Sequence, residues 1–82
     1  EGKTTYDTDS FTNSPDKVIL DASHGDVTGN FTAGVVFTVY GEGNDNDTIY
    51  STVSSSFNGS ETEITVNETP AVVGAGAGKV VL

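Results

Sequence analysis

The chain has 82 residues, 34% of them apolar, with ten glycines and no Cys, Met or Trp. Three lysines and no arginine stand against twelve acids, a formal net charge of −9. That balance argues against binding nucleic acid, which needs Lys or Arg to displace phosphate counterions, and against docking on an anionic membrane.

The length suits one domain. Eleven valines and twelve threonines against two leucines predict strands, because β-branched side chains lose rotamers in a helix and pack well on a pleat. No apolar run approaches the ~18 residues of a membrane-spanning helix. The missing cysteines exclude a disulfide framework or a zinc–thiolate site. Without staples, a chain this small is expected to gain stability by oligomerising or by docking on a larger surface. An opening Glu1-Gly2 is expected of a segment cut from a longer precursor, or of a numbering that omits upstream residues.

Residues 1–16 hold two apolar side chains, Tyr6 and Phe11, among eleven Thr, Ser, Asp, Glu and Asn. Pro15 closes the stretch, which reads as an extended polar arm unable to fold alone. The remainder, 17–82, reads as the folded domain. Val18-Ile19-Leu20 is a short apolar run suited to a strand buried on both faces. Turn chemistry follows at Asp21–Asp26 and again at Thr28-Gly29-Asn30.

From Gly34 the alternation is clear, with Val35, Phe37 and Val39 on one face and Val36, Thr38 and Tyr40 on the other. Gly41–Asp47 has no apolar member and predicts a loop. Thr48–Phe57 predicts a strand with Ile49, Val53 and Phe57 inward. Asn58-Gly59 predicts a type I′ hairpin turn, returning through Thr62–Val66 with Ile64 and Val66 inward. Pro70 ends that strand, Ala71–Gly78 reads as a loop with its Gly-Ala stretch 74–78 a flexible connection, and Lys79–Leu82 is a last strand. The expected core is Val18, Leu20, Phe31, Val35, Phe37, Val39, Ile49, Val53, Ile64, Val66 and Val80. Five strands and one tight hairpin predict an all-β fold, a small five-stranded barrel or sandwich with an SH3-like barrel favoured and an extended N-terminal arm.

Chemistry is sparse. Gly41–Ile49 echoes the calcium-binding nonapeptide and makes Asp45 and Asp47 the candidate calcium ligands. The single copy and the stretched spacing favour a solvated loop without a metal. Ser23, His24 and Asp26 lie in one turn, which does not wrap into a hydrolytic triad. No catalytic residue and no cofactor is expected, and the chain reads as no enzyme. Glycosylation sequons begin at Asn30, Asn46, Asn58 and Asn67.

Residues 18–82 resemble a β-module of tailed-bacteriophage structural proteins, found in head-surface, tail and baseplate components. The resemblance rests on Asp26–Gly34 as a D-x-T-G-x-F-x-x-G turn and on Phe37-Thr38-Val39 as an F-x-V strand. Gly43–Tyr50 with Ser54, Thr62–Val66 and Gly78-Lys79-Val80 complete the pattern. It implies a virion structural protein, a head decoration (cement) protein capping junctions between capsid subunits. Its partner would be the major capsid or another virion protein, with the arm as the reaching element and Tyr6 and Phe11 as partner-binding anchors. A homo-oligomer is expected, a trimer first. The alternatives are a tail or baseplate component and an extracellular filament or surface-layer subunit at the cell surface. A calcium-dependent carbohydrate-binding module is a third class.

Overall fold

A computed structural model describes residues 4–82. It contains β1 (Thr5–Asn13), β2 (Asp16–Leu20), β3 (Val36–Tyr40), β4 (Ile49–Phe57), β5 (Thr62–Val66), β6 (Gly74–Ala75) and β7 (Lys79–Val81). Two short 3₁₀ turns, Ala22–His24 and Thr28–Asn30, lie between β2 and β3. Among the described residues there is no α-helix, as the Val- and Thr-rich composition predicts. All pairs are antiparallel. The order is β2–β5–β4–β3–β7–β1–β6, and β2 also pairs with β1. The circuit β1–β2–β5–β4–β3–β7 therefore returns to β1, with β6 attached beside it.

The expected five strands are present, but the sheet has seven. The main correction concerns residues 1–16. Glu1 to Lys3 of the expected arm lie outside the described residues, and the rest forms β1 with the turn to β2. Tyr6 and Phe11 point into the core, 6% and 1% exposed, so they are not anchors held out to a partner. Asn13 pairs with Asp16 around the cis Ser14–Pro15 peptide.

β1 and β4 are the long strands, and each changes neighbours at a bulge. Thr5–Asp7 pair with β7, while Thr8–Asn13 pair with β2, with Asp9 as the extra residue. Ile49–Ser51 pair with β3, while Thr52–Phe57 pair with β5, with Val53 as the extra residue. A bulge bends a strand and sharpens its twist, which lets one strand serve two neighbours in succession.

Through the core runs an aromatic chain. Tyr6 meets Phe31 at 5.5 Å between ring centroids, Phe31 meets Phe37 at 5.5 Å, and Phe37 stacks on Tyr50 at 5.7 Å. Val18, Leu20, Val39, Ile64, Val66 and Val80 close around it, as expected. Val35 is half-buried, and so is Ile19, so β2 is covered fully on one face alone. Ile49 and Val53 are corrections, 59% and 44% exposed, and Phe57 also faces solvent in part. Pairing Phe37 with Tyr50 turns Tyr50 and Thr52 inward instead.

The β4–β5 turn is a further correction. Its loop is the four residues Asn58–Glu61, and of these Gly59 has positive φ, at 97°. Asn58 keeps a negative φ. Its side-chain oxygen accepts the amides of Ser60 and Glu61 at 2.9 and 2.8 Å, an Asx turn in place of type I′.

Candidate functional site

The loop after β3 is built by its own polar groups. Asp47 accepts the amides of Glu42 and Gly43 at 2.8 and 3.0 Å. Asn46 is buried, bonding the Val72 backbone in both directions at 2.8 and 2.9 Å, and its carbonyl accepts the Tyr50 hydroxyl at 3.0 Å. Asp45 points to solvent. The two calcium candidates thus do not converge: one carboxylate braces backbone and the other stands free. No group of three or more His, Asp or Glu that could hold a metal occurs among the described residues.

Glu42 organises the far side of this loop, and composition gave no sign of it. Its carboxylate accepts the Thr8 hydroxyl at 2.5 Å and the amides of Ala77 and Gly78, each at 2.8 Å. Residues 74–78 are thereby pinned to β1 rather than forming the flexible connection expected. Gly78 is sterically required, since an added Cβ would stand 2.2 Å from the Tyr40 carbonyl oxygen.

The Ser23–Asp26 turn does not assemble a hydrolytic site. His24 Nε2 accepts the Asp7 amide at 2.8 Å, and its ring meets the Tyr6 edge at 5.2 Å. The Asp26 carboxylate is spent on Thr28. The sequon asparagines are also engaged. Asn46 is 1% exposed, and the side-chain amides of Asn30, Asn58 and Asn67 donate to Tyr6, Glu63 and Ser51.

What remains as a candidate site is a surface. The outward side chains of β3 are Val36, Thr38 and Tyr40, with Val36 57% exposed. Register places Thr38 between Ile49 of β4 and Val81 of β7. This β-branched patch carries no charge, on a chain of net charge −9. An ion pair bounds one end: Lys79, opposite Tyr40, reaches Asp7 on β1. That contact holds the Asp7 carboxyl below its usual pKa and raises the Lys79 ammonium. Contiguous exposed apolar side chains framed by polar ones suit contact with another protein surface. Periodicity shows Val36 and Tyr40 outward from β3, but the exposure of Ile49 depends on a register that only the fold sets. Comparison with known families, curated proteins and solved structures finds no match.

Proposed function

We propose that this chain is a non-enzymatic virion structural protein, a head decoration protein that caps junctions between capsid subunits. The observation that carries the reading is the uncharged face of Val36, Ile49, Tyr40 and Val81 on an otherwise strongly acidic module. Such a face can be buried against a shell while the acids stay in water and keep particles apart. The likeness of residues 18–82 to a phage β-module supports the same reading. With residues 5–13 built into the sheet, attachment runs through this face and not through an arm.

The test is immunogold microscopy of particles from cells carrying the gene, joined to a binding assay. Antibody to the folded chain should label particle heads. Val36→Asp with Ile49→Asp should abolish binding to undecorated shells while leaving the melting curve in place. Label confined to tails or cell-surface filaments would overturn the decoration reading.

A further inference from the structure

β4 is covered unequally. On its β3 side, pairing spans Ile49–Ser51 and ends with Thr52, whose amide reaches the Val35 carbonyl at 2.9 Å and whose carbonyl accepts the Gly34 amide at 2.9 Å. Gly34 has φ 91°, and there the chain leaves the strand. Val53–Phe57 continue for five residues with β5 on one side and, among the described residues, no strand on the other. A groove of about 460 Å³ lies along the open side, between Val53–Ser55 and the Thr28–Ala33 segment. Among the described residues, the hydrogen bond across it is Ser55 Oγ to the Thr28 carbonyl at 3.2 Å. Unpaired strand backbone is a template for another extended chain, and proteins usually protect such edges with charges, proline or brevity. β6 is protected by brevity, with two residues. Val-Ser-Ser-Ser-Phe carries no charge and no proline, and its one protective feature is the bulge at Val53, where the open stretch begins.

We propose that the open half of β4 is a self-pairing edge: two copies join antiparallel along Val53–Phe57, centred on Ser55, into a two-fold pair. Three observations select a second copy as the occupant. The groove lining carries no charge, so a basic partner finds no acid there, and a neutral strand is what the edge accepts. The edge is its own complement: centring on Ser55 sets Val53 of each copy opposite Phe57 of the other, an aromatic against a β-branched side chain. Both are already exposed, at 44% and 38%. The serines between them are small enough for the two backbones to approach. An antiparallel edge closes as a two-fold contact, a different symmetry from the trimer expected of a cap on capsid junctions. The inference stands apart from the virion reading, because the pair forms in solution without any shell.

Sedimentation velocity on the full chain is the test. Each copy carries −9, so salt, which shortens the range of repulsion, should strengthen pairing. Val53→Lys should leave a folded monomer at every salt concentration. Phe57→Ala should weaken pairing about tenfold. The chain has no native cysteine, so single-cysteine variants read the register directly. Mixed Ser54→Cys and Ser56→Cys chains should form a disulfide with each other faster than either does with itself. Circular dichroism confirms that each variant is folded. A parent that stays monomeric in high salt would overturn the proposal. So would a pair indifferent to Val53→Lys, or one lost instead in Val36→Asp, or cross-linking without preference for the 54–56 combination.

Discussion

One chemical change, Thr to Val, should have opposite effects at two buried positions. Thr52 is 2% exposed, and its hydroxyl has no hydrogen-bond partner. A buried polar group left unpaired costs ~1–3 kcal/mol, and Val has nearly the same shape without that cost. Thr52→Val should therefore stabilise the fold by ~1–2 kcal/mol. For a domain this small that raises Tm by roughly 5–15 °C. Thr62 is equally buried, but its hydroxyl accepts the Val27 amide and donates to the Gly25 carbonyl, both at 3.0 Å. Thr62→Val removes both bonds and strands the Val27 amide, a loss of ~1.5–4 kcal/mol. Urea titration with matched thermal melts measures both variants. Destabilisation at Thr52, or the same sign at both sites, would refute the hydrogen-bond assignments on which the argument rests.

Phe11→Ala should cost ~3–5 kcal/mol, as for other buried aromatics, and deleting residues 5–14 should abolish folding; a truncated chain with the parent's dichroism would show β1 to be dispensable. Asp45→Asn should change stability by less than ~0.5 kcal/mol, whereas Asp47→Asn should cost ~1 kcal/mol through its two backbone amides; equal effects in chemical denaturation would contradict the placement of the two side chains. The Lys17 hydrogen bond holds the Glu63 carboxyl below its usual pKa, and the Thr28 amide does so for Asp26. Groups with a depressed folded pKa add stability above the unfolded value of ~4 and lose it as pH falls through the folded value. A hydrogen bond with Asp9 raises Glu61, so that residue contributes in the opposite direction, stabilising on protonation. Melting temperature should thus fall in acid below about pH 4, with a shallower fall in Lys17→Ala; a profile unchanged by Lys17→Ala would discount the pair with Glu63.

Composition and period-two alternation determine the all-β class, the positions of β2, β3, β5 and β7, and the inward set Val18, Leu20, Phe37, Val39, Ile64, Val66 and Val80. These follow from local chemistry: a β-branched residue fits a pleat, and alternate residues share a face. Bulges are not local in that sense. The extra residue at Asp9 breaks the phase between Tyr6 and Phe11, so a strand that buries both reads as an unpatterned polar arm. Val53 does the same in β4, where the apolar phase of Ile49, Val53 and Phe57 points to a face that the register leaves outward. The roles of Glu42 and Asn46 also depend on partners 36 and 26 residues away. The uncharged face and the open edge come from the same source. Which strand pairs with which, and where a pairing stops, is decided by closing one sheet around one core, and no short window of sequence carries that information.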